Sequence, residues 1–251
     1  MESDRIALVT GANKGVGRQV AGELVGAGLT VLLGSRDLAL GQEAAAEIGD
    51  GAVAIQLDVT DAASLTAAGD LISARFGRLD VLINNAGISH TATEGFTMER
   101  YAAMSKASTA PLDEVKAVWN VNVFGTLAVY QAMLPLLRAS ADARIVNVSS
   151  GLGSLGDAAD PKNPYRATYG PIYPASKTAL NAITRSMMIE LEHTAIKVNL
   201  VSPAFTATAL NDFAGTESVE DGSREVVRVA LLGPDGPTGT FTLWEGQDIP
   251  W

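Results

Sequence analysis

The chain contains no cysteine, which excludes disulfides, thiolate metal sites and a cysteine nucleophile, and removes any redox-compartment signal. Histidine is scarce: His90 and His193 are too few for a site built on several imidazoles, so no metal site is expected. Basic residues are in deficit, with 18 Lys and Arg against 28 Asp and Glu. The resulting net charge of −10 argues against a nucleic-acid surface and is read as a solubility device. No stretch approaches the roughly 18 apolar residues of a membrane span. The opening MESDRIALVTG carries two acids before a short apolar run, unlike a secretory signal. A soluble, cytoplasmic protein is therefore expected, with neither a membrane nor a nucleic acid as partner.

What is present suits a packed core. Hydrophobic residues make up 47% of the 251 positions and charged ones 18%, which excludes global disorder. The length fits one α/β domain, taken as 1–251. Short β-branched runs alternate with Ala/Leu/Glu-rich helical stretches. Strands are predicted at Ile6–Val9, Thr30–Leu33, Ala52–Leu57, Leu79–Ile83, Arg144–Val148, Ile196–Val201 and Gly239–Leu243. Helices are predicted at Gly17–Gly26, Leu38–Ile48, Asp61–Arg75, Pro174–Leu191 and Arg224–Leu231. Asp61 is the expected N-cap of its helix. A long helix over Leu112–Leu137 is expected to kink or end near Pro135. This alternation predicts right-handed βαβ units and a parallel sheet covered on both faces. Loops at 86–111, 151–172 and 203–223 follow strand C-termini, the edge where ligands bind in an open parallel sheet. Loops of that length are functional or disordered, so the site is expected beneath them.

Thr10-Gly11-Ala12-Asn13-Lys14-Gly15-Val16-Gly17 joins the first strand to the first helix. Its glycines permit a tight turn that brings backbone N–H groups and a positive helix end to an anion. The plainer alternative is an ordinary strand-to-helix turn. After the second strand stands Ser35-Arg36-Asp37. An Arg there pairs with a ribose 2′-phosphate, whereas an acid accepts hydrogen bonds from a 2′-hydroxyl. Arg36 comes first and Lys14 adds charge, but a shift of one residue would exchange the roles of Arg36 and Asp37, and both could be solvated surface charges.

Tyr173 and Lys177 lie four apart on one helical face, with Pro174 suited to the first turn. A nearby ammonium, and the positive helix end, favour the phenolate and lower a phenol's pKa, making Tyr173 a plausible general acid/base. Asn84-Asn85-Ala86-Gly87 follows the fourth strand, Asn122 lies in the long helix, and Ser149-Ser150 follows the fifth strand. Singly, each has a structural reading as a helix asparagine, cap or turn. Together they place a polar group at successive strand ends.

In this order and topological place, the Gly11/Gly15/Gly17 loop, Asn84–Gly87, Asn122, Ser150 and Tyr173/Lys177 make the chain similar to short-chain dehydrogenases/reductases, from about Arg5 onward. The resemblance implies a Rossmann-type doubly wound parallel sheet of about seven strands in the order 3-2-1-4-5-6-7, and a nicotinamide cofactor. It implies that Ser150 hydrogen-bonds a substrate carbonyl, Tyr173 donates the proton, Lys177 holds the nicotinamide ribose and lowers the Tyr173 pKa, and Asn122 anchors a relay water. It places Asp58 and Val59 beside the adenine and Asn85 beside the adenosine ribose, counts Ala86 and Gly87 among the cofactor-binding residues, and puts Pro203, Thr206 and Thr208 on the loop that orients the nicotinamide carboxamide. The stretches 10–15, 35–37 and 236–241 resemble the carbonyl-reductase and menthone-reductase branch, which generally prefers NADPH, with Lys14 and Arg36 in its two basic places.

The chain departs from the family pattern in three ways. Ser150 and Tyr173 are unusually far apart, the loop after Gly87 is expanded, and Ala204 replaces the usual Gly after Pro203, which is harmless unless that position needs a positive φ. The expected function is NADP(H)-dependent reduction of a small-molecule aldehyde or ketone of moderate size and low polarity, with Phe96, Met98, Met104, Phe205 and Phe213 near the pocket. An NAD-dependent alcohol dehydrogenase and a non-catalytic cofactor-binding sensor are the rivals. His90 is read as an exposed loop residue, His193 as a helix-end charge, and Trp119 and Trp251 as packing residues. Assembly as a homo-oligomer is left open, since the 151–172 segment could cover part of the surface on which related tetramers are built.

Overall fold

The computed structural model describes residues 5–92 and 97–251, together with the backbone but not the side chain of Met98. Strands β1 (Ile6–Thr10), β2 (Thr30–Ser35), β3 (Ala52–Gln56), β4 (Val81–Asn84), β5 (Arg144–Val148), β6 (Lys197–Val201) and β7 (Phe241–Leu243) form a parallel sheet. Their order is 3-2-1-4-5-6-7, and a further strand β8 (Gln247–Asp248) pairs antiparallel with β7. The helices are α1 (Gly15–Gly26), α2 (Leu38–Ile48), α3 (Ala62–Phe76), α4 (Met98–Met104), α5 (Leu112–Trp119), α6 (Thr126–Arg138), α7 (Leu155–Ala159), α8 (Tyr173–Leu191) and α9 (Val219–Ala230).

The period-two geometry of a strand divides the core. Leu8, Leu32, Leu82, Ile145 and Val198 face one side and pack with Ile72, Val129, Met133, Leu137 and Met187 of α3, α6 and α8. Val9, Val31, Ile83, Val146 and Val201 face the other and pack with Val20, Leu24, Ala44, Val226 and Val229 of α1, α2 and α9. Both faces are covered, so the strands are apolar without alternation. Burial of each such aliphatic side chain contributes about 1.5–3 kcal/mol.

Some boundaries differ from the sequence expectation. β4 starts at Val81 rather than Leu79. The preceding Asp80 is buried and its carboxylate accepts from the Ile6 amide (2.7 Å) and the Ser140 hydroxyl (2.6 Å), so side-chain bonds take over where the ladder would begin. The break in the long helix lies at a π turn, Asn120–Gly125, and not at Pro135, beyond which α6 runs on to Arg138. Gly125 sits against Val59, where a Cβ would come within 2.7 Å of Cγ2. The 112–138 run has the length and composition of a membrane-crossing helix, contrary to the expectation of none, but half of that stretch is buried inside the fold, as in the core helix of a soluble protein. α9 begins at Val219, earlier than expected, because Ser218 caps it by accepting from the Asp221 amide. Helix α4 was not anticipated; Thr97 caps it, accepting from the Arg100 amide at 3.1 Å. Asp61 caps α3 as expected.

Candidate active site

The glycine loop is clamped from the end of the neighbouring strand. The Thr10 hydroxyl accepts from the amides of Asn85 and Ala86, both at 3.0 Å. The Asn85 side-chain amide donates back to the carbonyls of Thr10 (2.9 Å) and Gly11 (3.2 Å). Gly11 and Gly15 have φ of 64° and 56°, the region that glycine enters without cost. A Cβ at Gly17 would fall 2.3 Å from the Asn85 amide nitrogen, so only glycine lets α1 approach this closely.

The start of α1 is open. Lys14, its exposed N-cap residue, makes no side-chain cap bond, and the first turn carries no acid. Free first-turn N–H groups and the positive helix end are what a pyrophosphate requires, so these residues fit a dinucleotide. Asn13 and Val16, half-buried, complete the turn.

Arg36 is exposed just past β2. Asp37 is engaged elsewhere, since its Oδ1 accepts from the amides of Ala39 (3.0 Å) and Leu40 (3.3 Å) as the N-cap of α2. Asp37 thus serves as a helix cap, and Arg36 stands exposed beside it. Asp58 is half-buried beyond β3, with Oδ1 held by the Thr60 amide (2.9 Å) and hydroxyl (2.7 Å), next to buried Val59.

Beyond β4 and β5 the polar groups converge. Asn122 is buried in the π turn, where its Oδ1 accepts from the Ile88 amide and its Nδ2 donates to the Ile88 carbonyl and the Ser176 hydroxyl, each at 2.9 Å. Its side chain thus ties the loop after Gly87 to α8. Lys177, also buried, donates from Nζ to the Val148 carbonyl at 2.9 Å and lies 5.6 Å from the centre of the Tyr173 ring. Gly87 packs beside it, where a Cβ would be 3.5 Å from Nζ. Ser150 caps a 3-10 turn, Gly151–Gly153, accepting from the Leu152 amide, and its side chain stands beside the Tyr173 phenol.

The electrostatic expectation for Tyr173 is corrected. Burial pushes its phenol up, because the phenolate loses hydration, and the Ser150 hydrogen bond only partly offsets this. Burial also pushes the Lys177 amine down, to about 8. Burial thus keeps the phenol protonated and loosens the hold of the amine on its proton.

The third loop closes over the first. Thr208 caps the turn Ala209–Asn211, and its methyl group lies 3.5 Å from where a Gly15 Cβ would stand. The Ser89 hydroxyl donates to the Leu210 carbonyl, joining the loop after β4 to the loop after β6. Thr206 is buried and its hydroxyl donates to the Pro203 carbonyl. Phe205 and Phe213 are exposed on this loop and Met104 is half-buried in α4, while Phe96 and the Met98 side chain lie outside the described residues.

Ala204 has φ of 56°. This is the case in which the departure from glycine matters, since a left-handed alanine costs about 1–2 kcal/mol. Ala204→Gly is expected to stabilise the protein by roughly 0.5–1 kcal/mol, raising the thermal midpoint by about 2 °C. An unchanged or lowered midpoint in calorimetry contradicts the strained backbone.

Sequence reasoning missed Asn147, Thr184 and Asn181, the partners that stand behind Asn84 and Ser149. Asn84 donates to Asn147 across the β4–β5 register, and Asn147 donates to Thr184 of α8, each at 2.8 Å. Ser149 donates to Asn181 of the same helix. A buried asparagine in the otherwise apolar strand Arg144–Val148 was the available signal.

The model of the family described as short chain dehydrogenase matches residues 5–218. The chain is 37% identical to a short-chain dehydrogenase, anuI, of Penicillium roqueforti over 237 residues, covering 91% of this chain and 89% of that one. It is 32% identical to a (+)-neomenthol dehydrogenase of Arabidopsis thaliana, covering 96% of each. The structure of salutaridine reductase from Papaver somniferum superimposes with a TM-score of 0.78 at 31% identity, covering 94% of this chain and 99% of that one. The glycine loop, the strand-end polar groups and these matches agree that the chain belongs to the short-chain dehydrogenase family of NAD(P)(H)-using oxidoreductases.

Proposed function

We propose that the protein reduces an aldehyde or ketone to the alcohol with NADPH, Tyr173 being the proton donor. The observation that carries this reading is the gathering of Ser150, Tyr173 and Lys177 at one place, the Ser150 side chain beside the phenol and the Lys177 Nζ 5.6 Å from the centre of its ring. When bound, the nicotinamide supplies the hydride. As negative charge develops on the carbonyl oxygen, the Ser150 and Tyr173 hydroxyls donate to it, and the Tyr173 proton passes to that oxygen. Burial keeps Tyr173 protonated until then, and Lys177 offsets the charge left on the phenolate. Lys14 at the start of α1 and Arg36 past β2 support NADPH, because Asp37 is occupied as a helix cap. The exposed Phe205 and Phe213 on the third loop support a substrate of low polarity. Turnover of a panel of aldehydes, quinones and cyclic ketones, with NADPH and NADH side by side, tests this. Absence of turnover together with tight cofactor binding favours a non-catalytic binder instead.

The cofactor preference has its own test. Removing a charge-assisted pair with phosphate costs about 1.5–3 kcal/mol, so Arg36→Ala is expected to lower the NADPH over NADH preference by about 10–100-fold. The ratio of kcat/KM for the two cofactors reads it, and an unchanged ratio rejects the role of Arg36.

A further inference from the structure

We propose that Asn181 of α8 is a positioning residue for Ser150: its side-chain amide holds the chain on both sides of that serine and sets where the hydroxyl stands against Tyr173 and Lys177 of the same helix. The inference rests on the reading of Ser150 as a hydrogen-bond donor to the substrate carbonyl.

Ser150 and Tyr173 are joined by the long segment 151–172, and so long a connection does not fix the distance between its ends. That distance is set through space, by contacts to α8. The Ser149 hydroxyl donates to Asn181 Oδ1, which holds the residue before Ser150. Asn181 Nδ2 donates to the Gly153 carbonyl at 3.2 Å, which holds the turn that Ser150 caps. The Thr178 hydroxyl, also 3.2 Å from the Pro174 carbonyl, donates to the same Gly153 carbonyl at 2.9 Å. A carbonyl oxygen has two lone pairs, and α8 engages both here. The orientation of the amide follows from the same chemistry, since a carbonyl can only accept and must face Nδ2. Asn181 is buried, so a partner removed from it is not replaced by bulk water.

The turn also rests directly on the helix. A Cβ at Gly153 would come within 2.8 Å of the carbonyl carbon and the Cβ of Lys177. One face of α8 runs along the end of β5 at the spacing i, i+4 and i+7: Lys177 meets the Val148 carbonyl, Asn181 the Ser149 hydroxyl and Thr184 the Asn147 side chain. Of the three, Asn181 is the one that also reaches past Ser150, to Gly153. A reacting group displaced by about 1 Å can lose on the order of a hundredfold in rate, so this clamp bears on kcat.

The Leu152 and Gly153 amides donate to the Ser150 hydroxyl and carbonyl, so their exchange reports on the turn. In Asn181→Ala with NADPH bound, exchange at both, followed by NMR, is expected to accelerate about tenfold. This reading requires no substrate. With a carbonyl substrate from the panel, kcat is expected to fall about tenfold while the Kd for NADPH stays within about twofold. Ser149→Ala removes a single hydroxyl and is expected to move both readouts the same way, which keeps the test open if Asn181→Ala fails to fold. Tyr130→Phe, which breaks a bond to the far end of the same helix at Glu190, is the control and is expected to leave both within about twofold. A double-mutant cycle separates positioning from general damage: in a Ser150→Ala background the loss of Asn181 is expected to cost less than about twofold in kcat, whereas a merely structural role costs the same in both backgrounds. Equal costs, or wild-type exchange at Leu152 and Gly153 in both variants, overturn the proposal. Ser150→Ala alone separates the failures. If its kcat falls by about 10²–10³-fold while the cycle shows no coupling, only the positioning role falls; if it turns over at the wild-type rate, the reading of Ser150 falls and this inference with it.

Discussion

Tyr173→Phe is expected to reduce kcat by about 10²–10⁴-fold and to leave NADPH binding within about twofold of wild type. On the proposed reading the phenol oxygen gives up the proton, and the neighbouring groups do not replace it. The Ser150 hydroxyl can still polarise a carbonyl but lacks the adjacent cation that lets a donor release its proton. Lys177 stays held by the Val148 carbonyl, buried beneath the ring. Because the ring packs as before, the loss should fall on kcat, with the glycine loop and the start of α1 unaffected. Single-turnover kinetics alongside a cofactor fluorescence titration separates the two quantities. Turnover at the wild-type rate would falsify the assignment of the proton donor.

A comparably large effect is expected at the other half of the site, from a single methyl group. In Gly17→Ala the new Cβ would lie 2.3 Å from the Asn85 side-chain nitrogen and 2.6 Å from the Gly11 carbonyl oxygen. Neither neighbour can yield cheaply, because Asn85 is the residue that clamps the glycine loop through Thr10 and Gly11. Overpacking of this kind costs about 1–3 kcal/mol, and the displaced α1 would no longer present its N–H groups to the pyrophosphate. Urea unfolding should show that loss, and NADPH affinity should fall by about a hundredfold, roughly two hydrogen bonds to a charged group. Gly26→Ala on the same helix is the control. Nothing lies within 4 Å of its Cβ, and an alanine in a helix is expected to be neutral or stabilising by up to about 1 kcal/mol. Equal behaviour of the two variants would mean that the close approach at Gly17 carries no weight.

The sheet and the positions of the candidate residues were legible because they rest on local pattern. The apolar run Ile6–Val9 and the β-branched Ile145, Val146 and Val148 mark strands buried on both faces, and polar residues immediately after them mark the ligand edge. What was not legible depends on contacts between distant segments. Helix α4 is short and is held by the Gly170 segment, which no pattern within residues 97–105 can announce. The direction in which the Tyr173 phenol moves depends on how deeply it is buried, and the spacing to Lys177 says nothing about burial. That Asp37 is a helix cap turned on where α2 begins, a matter of one residue. The eighth strand has two residues and pairs only through β7, too little for any periodicity. The positive φ of Ala204 is imposed by its surroundings in a residue type that does not advertise it.

The π turn at Asn120–Gly125 also bears on how this chain tolerates change in length. In an α-helix each residue advances the azimuth by roughly 100°, so every side chain downstream is indexed by a simple count. A π turn is one extra residue accommodated in that count. It leaves Trp119, which reaches the Pro171 carbonyl, and Met133, which packs against the sheet, facing as they would on an unbroken helix. Removing one residue there would restore an unbroken helix with α5 and α6 still facing as they do, but would take away the bulged backbone from which Asn122 reaches Ile88 and Ser176. The turn thus acts as an index mark between the geometry of the sheet and the geometry of the loops, taking up one residue of length without rotating either half against the other.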